Sequence, residues 1–212
     1  MFSDRADAGR RLAEALHGQV SGPAVVLGIP RGGVVVAARV ARSLATPLDV
    51  LVARKLGAPG NAELAVGAVA DGVAVVDWRA CRRLGVDPAD LEREIDRQQA
   101  EVVRRTAVYR RGLPPPDLER RIAVVVDDGV ATGWTCVAAA RRCRRLAASR
   151  VVLAVPVGPA DLRARVDADV DQVVCLTMPR PYLAVGQAYR RFGQVGDEEV
   201  LRALEDAAAP SG

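Results

Sequence analysis

Apolar positions along the chain follow two rhythms. Residues 4–17 carry them at helical spacing, with Ser3 placed as an N-cap. "AVVLGI" (24–29) is instead an unbroken apolar run ending at Pro30, the pattern of a strand buried on both faces. "GVVVAARVARSL" (33–44) returns to a helical pattern, and "PLDVLVA" (47–53) reads as a second strand. "KLGAPGN" (55–61) reads as a Gly/Pro-rich loop, and Asp71-Gly72 sits between two short apolar runs within 65–77 as a hairpin turn. Asp87-Pro88 opens a long charged helix to about Arg111, stopped by "PPP" (114–116). A strand follows at 121–126, then a helix over 134–146 and a strand at 150–155. A short helix near 160–166, a strand at 172–176 and a helix over 197–208, N-capped by Asp197, complete the pattern.

Strands alternating with helices predict an α/β fold, doubly wound, with a mostly parallel sheet covered by helices on both faces. No linker divides the chain, so residues 1–212 are expected to form one domain. A loop, hairpin and long helix over 56–112 interrupt the alternation.

Composition narrows the chemistry. Half the residues are hydrophobic but only 3% are aromatic, so Val, Leu and Ala must make the core. The formal charge is +4, which permits anionic partners without requiring nucleic acid. Arginine is the generic cation, and Lys55 is the only lysine. "RRCRR" (141–145) and "RRTAVYRR" (104–111) therefore read first as solvated helix faces, with phosphates or RNA as less favoured partners. Cys81, Cys136, Cys143 and Cys175 form no C-x-x-C pair, and His17 is the only histidine. Zinc and Cys/His catalysis are thus not expected. No apolar leader or membrane-spanning run is visible, and a cytoplasmic protein with reduced thiols is expected.

The candidate chemistry follows the apolar runs. Open α/β sheets bind ligands beyond the carboxyl ends of their strands. Pro30, Arg31, Gly32 and Gly33 follow the first run, Arg54 and Lys55 the second. The third is "VVVDDGVATGWT" (124–135), where Asp127-Asp128 lead into Gly129, Val130, Ala131, Thr132, Gly133, Trp134 and Thr135. Glycines let a ligand approach the backbone, a helix N-terminus offers free N–H groups, and the threonines add hydroxyl donors. Two carboxylates beside such a cradle suit sugar hydroxyls and a hydrated Mg²⁺. A phosphate, a diol and a metal together describe a ribose 5-phosphate. No G-x-x-x-x-G-K-[ST] or strand-linked G-x-G-x-x-G is present, which opposes a P-loop NTPase or a dinucleotide site.

"VVVDDGVATGWT" closely resembles the phosphoribosyl pyrophosphate (PRPP) motif of type I phosphoribosyltransferases. "GIPRGG" is similar to their pyrophosphate loop, and "VARKLGAPG" to the Arg-Lys segment of adenine-type members. Nearly the whole chain resembles bacterial members whose substrate is undefined. The resemblance implies a pentosyltransferase that uses Mg-PRPP, transfers the phosphoribosyl group to a nitrogenous-base acceptor and releases pyrophosphate. Gly129–Thr135 would bind the 5-phosphate. Asp127 and Asp128 would hold the ribose hydroxyls, directly or through Mg²⁺. Pro30–Gly33 would bind pyrophosphate, with Arg54 and Lys55 neutralising its charge. A strained or cis peptide near Pro30-Arg31 belongs to this loop type. Residues 177–212 would supply a hood and tail, with Tyr182, Tyr189 and Phe192 either stacking an acceptor ring or packing the lid. Glu63 reads as a solvated loop residue or a general base. Ala131 stands where some 6-oxopurine members carry an assisting acid, so the acceptor cannot be borrowed from them. Helix 88–111 offers a surface for the expected homodimer. A non-catalytic sensor of PRPP or nucleotides on the same fold is the alternative, and a phosphosugar hydrolase a weaker one.

Overall fold

The computed structural model describes residues 1–208, excluding the side chains of Ala62, Glu63 and Ala208. The proposed role of Glu63 therefore lies outside the described residues. Five parallel strands make the main sheet: β1 (Ala24–Gly28), β2 (Leu48–Val50), β6 (Ile122–Val126), β7 (Arg150–Val157) and β8 (Gln172–Thr177). Their spatial order is β2-β1-β6-β7-β8. Three further strands, β3 (Ala53–Ala58), β4 (Asn61–Ala70) and β5 (Val73–Val76), form a separate antiparallel sheet.

Both faces of the main sheet are buried, and the period of two sorts its residues. Val26, Val124 and Val152 pack with Leu12 and Leu16 of α1 (Arg5–Leu16) and with Val36 and Val40 of α2 (Gly32–Leu44). Leu27, Val125 and Leu153 face the other way. They pack with Val137 and Cys143 of α5 (Trp134–Arg145) and with Ala68 and Val75 of the small sheet. The other face of the small sheet, with Leu56 and Val69, packs on Leu91 and Val102 of α4 (Pro88–Arg110) and on Val200 of α7 (Asp197–Ala208).

Several expectations change in detail. Asp4, not Ser3, caps α1, its carboxylate accepting from the Asp7 N–H at 3.0 Å; the Ser3 N–H donates instead to Asp7. Asp197 lies inside the first turn of α7, where Val200 N–H donates to Gly196 O. The Asp197 carboxylate accepts from Tyr109 Oη at 2.6 Å. A short α3 (Trp78–Leu84), capped by Asp77 and closed by left-handed Gly85, follows the hairpin and went unread because its core contribution is Cys81 alone. The short α6 (Leu162–Val166) matches its expectation.

The largest correction concerns Arg54 and Lys55. They lie in β3, which pairs antiparallel with β4 as Arg54↔Val69 and Lys55↔Ala68, and not in a loop. Neighbouring strand residues point to opposite faces. Arg54 therefore shares the face of Leu56, towards α4, while Lys55 shares that of Ala53 and Ala68.

Candidate active site

Strand order fixes where a ligand can enter. The chain leaves β1 towards β2 on one side and leaves β6 towards β7 on the other, although β1 and β6 are neighbours. The loops after β1 and β6 thus diverge and open a crevice between them, the topological switch point of the sheet. A cleft of about 860 Å³ occupies this position. Arg31, Gly32, Arg54, Lys55, Asp127 and Asp128 all line it. Pro30, Gly129, Ala131, Thr132, Thr135 and Phe192 line it as well.

The loop after β1 is held very close to the acids. Pro30-Arg31 is a cis peptide. A Cβ on Gly32 would lie 1.9 Å from Asp128 Oδ2, and one on Gly33 2.8 Å from Val126 O. Only glycine fits either place. Gly33 thus serves the approach of α2 to β6 and is not among the residues lining the cleft. Arg31 is one-third exposed, with Asp197 as a long partner at 3.8 Å.

Asp127 and Asp128 leave the end of β6 differently. Burial pushes the Asp127 carboxyl well above its usual range, Asp128 adds to the shift, and Lys55 opposes it. Asp128 is also raised by burial, although Arg5 pulls it down. Arg5 Nε donates to Asp128 Oδ2 at 2.7 Å, and its Nη1 donates to Gly193 O at 2.8 Å. The same guanidinium lies 4.0 Å from the Phe192 ring centroid. Sequence reasoning missed Arg5: it comes from the first residue of α1 and has no local signal pointing to a strand end.

The loop after Asp128 divides its labour. Gly133 adopts φ 92° at the N-cap of α5, and no side chain caps the helix. The first-turn N–H groups are thereby available to an anion, with Thr132 and Thr135 beside them in the cleft. Val130 is buried and structural. Its N–H donates to Val157 O at 2.9 Å, and its carbonyl accepts from Tyr182 Oη at 2.6 Å. Trp134 packs against the core under α5.

The expected hood turns out to be clamped by its tyrosines. Tyr189 is 6% exposed and packs against both Phe2 and Phe192, at ring separations of 5.4 and 4.9 Å. Its hydroxyl donates to Asp128 O at 2.6 Å. Tyr182 and Tyr189 thus tie the segment after β8 to the loop after β6, and Phe192 is the ring of the three that lines the cleft. Tyr189→Phe leaves a carbonyl without its donor and is expected to cost about 1–3 kcal/mol of stability. Urea unfolding measures this.

The arginine runs are internally paired. Arg141, Arg142 and Arg144 meet Asp169, Asp71 and Asp171, each at 2.6 Å. Arg104 and Arg105 share Glu101, and Arg110 meets Asp49. Among the described residues no cluster of three or more His, Cys, Asp or Glu could hold a metal, and no helix is long and apolar enough to cross a membrane.

A parallel sheet whose switch point gathers paired acids, glycine loops and cations defines a class, and the comparison with known proteins agrees. The phosphoribosyl transferase domain matches residues 3–187, and the chain belongs to that family. A Mycobacterium tuberculosis protein (strain H37Rv) named "Putative phosphoribosyl transferase" is 51% identical over 209 residues, covering 98% of this chain and 47% of the relative. The same figures hold for its counterpart in strain CDC 1551. The chain thus spans about half the length of the curated relatives it matches. The crystal structure of TT1426 from Thermus thermophilus is 45% identical, with a TM-score of 0.81 over 98% of this chain and 99% of that one. AQ2163 from Aquifex aeolicus, 12% identical with a TM-score of 0.50 over 94% of this chain and 84% of that one, shares the fold alone.

Proposed function

We propose that the chain is a phosphoribosyltransferase that takes Mg-PRPP as donor and passes the phosphoribosyl group to a nitrogenous acceptor, releasing pyrophosphate. The observation carrying this reading is the meeting, in one cleft, of the Asp127-Asp128 pair, the loop at Arg31-Gly32, Lys55 and the open start of α5. In this reading the first turn of α5, Thr132 and Thr135 take the 5-phosphate. Asp127 and Asp128 hold the ribose hydroxyls, directly or through Mg²⁺. Arg31 and the backbone N–H of Gly32 hold the pyrophosphate, while Gly33 keeps the helix behind them against β6.

The donor set suits Mg²⁺, which keeps several waters and binds through one or two carboxylates plus substrate oxygens rather than an all-protein cage. When bound, the ion would neutralise charge on the pyrophosphate oxygens. Lys55 neutralises the same charge from one face of the hairpin, and Arg54 from the other. As the C–O bond at the anomeric carbon breaks, positive charge grows on the ribose and negative charge on the leaving group. Fixed cations stabilise that separation, and a nitrogen attacks from the opposite side. In this reading the chain acts as one domain in the cytoplasm, where its free cysteines would stay reduced. Pairing within the arginine runs supports a small-molecule acceptor over RNA.

PRPP with Mg²⁺ is expected to raise the melting temperature, because a ligand bound only by the native state stabilises it. A panel of bases with PRPP should then release pyrophosphate. Binding with no turnover for any acceptor would favour the sensor, and no shift would sink both readings. Both acids are raised in the free protein, so an ionised pair in the complex must release protons. Affinity should therefore rise with pH through their titration. Calorimetry in buffers of different ionisation enthalpy measures the release.

A further inference from the structure

The α4 wall of the cleft carries more positive charge than its own acids neutralise. Arg97, Gln98 and Arg105 of α4 reach the cleft beside Arg54. A second groove of about 310 Å³ shares Arg54, Arg97 and Gln98 with it and continues to Arg104. Two carboxylates serve three of these arginines: Glu94 pairs with Arg97, and Glu101 with both Arg104 and Arg105. Arg54 has no carboxylate at ion-pair distance among the described residues.

Arg54 is nevertheless held in place. Its Nε donates to Gln98 Oε1 at 2.5 Å. Gln98 is 6% exposed, and its Nε2 donates to Glu94 Oε1 at 2.8 Å. The Glu94-Gln98 chain thus fixes one edge of the guanidinium. Among the described residues its two terminal nitrogens have no hydrogen-bond partner. Burial and the nearby Arg105 both weaken the hold of Arg54 on its proton. Glu101 and Glu94 oppose that shift from beyond ion-pair distance, and an oriented guanidinium edge is the geometry that takes a phosphate in two-point contact.

We propose that Arg97 and Arg105, with Arg54 at the junction, form an anion subsite on the α4 wall that takes a phosphate group beyond those of the donor. The inference rests on the donor reading above and extends it. The ligand class is phosphate-rich: a chain longer than pyrophosphate, or a second phosphorylated molecule beside PRPP.

Calorimetric titration with tripolyphosphate, pyrophosphate and Mg-PRPP tests this on the wild type and on Arg97→Gln/Arg105→Gln. Arg97 is exposed and both arginines pair within their own helix, so the variant is expected to fold, with melting temperature as the check. Tripolyphosphate should bind the wild type about tenfold more tightly than pyrophosphate, the worth of one charge-assisted contact. The double variant should lose that advantage and keep its affinity for Mg-PRPP. Displacement of PRPP by tripolyphosphate would support a continuous chain; binding alongside it would support a second ligand. An advantage that survives the double substitution, or PRPP affinity falling equally, overturns the subsite. Should PRPP not bind the wild type while the tripolyphosphate advantage depends on the two arginines, the donor reading fails and the subsite stands.

Discussion

Asp128→Asn is expected to weaken Mg-PRPP binding by at least about 100-fold, the scale of breaking a buried charged contact. The substitution keeps the shape of the side chain and removes its charge. It acts twice: the ribose loses a carboxylate acceptor, and Arg5 loses the ion pair made at 2.7 Å. The guanidinium would then stand beside a neutral amide in the place where the donor is proposed to lie. Calorimetry with PRPP and Mg²⁺ measures the effect, and the melting temperature of the free variant shows whether it still folds. Wild-type affinity in a folded Asp128→Asn protein would remove the acids from the donor site.

Gly67→Ala is expected to cost stability on the order of 3 kcal/mol, because it overpacks backbone against backbone. A Cβ at Gly67 would lie 2.0 Å from Val75 O, in the strand directly paired with it. No rotamer relieves that contact, so β4 and β5 must separate. Lys55 rides on the same small sheet, so PRPP affinity should fall along with the urea midpoint. A midpoint unchanged from wild type would mean that β5 can yield without cost.

The Asp127–Thr135 segment was legible because its signal is local: strand, acids, glycines and helix start follow one another in sequence. The parallel sheet was legible for a similar reason, since strands such as Val124–Val126 are apolar on both faces. Arg54 and Lys55 were misread as a loop because Gly57, Pro59 and Gly60 signal a turn, while the pairing that makes Ala53–Ala58 a strand comes from β4. The strand divides the two cations between the two faces of the small sheet, although both line the cleft. Arg5, Arg97 and Gln98 were not identified because they belong to helices distant in sequence from the strand ends, and Arg105 was read first as part of a solvated basic run. On their own helices they look like any exposed polar residue. The roles of Tyr182 and Tyr189 were open for a related reason: a tyrosine that packs a lid and one that stacks a ligand look alike until its hydroxyl partner is known.

The pairing of β1 with β6 has a consequence for folding. Ala24 faces Ile122, and the two loops that form the crevice follow from these strands. Contacts this far apart in sequence carry a large loop-closure cost and form slowly. A fragment ending before β6 would contain the arginine loop and the hairpin but no crevice. Gain of PRPP affinity during refolding would therefore time the joining of the two halves of the sheet, an event that helix content alone would miss.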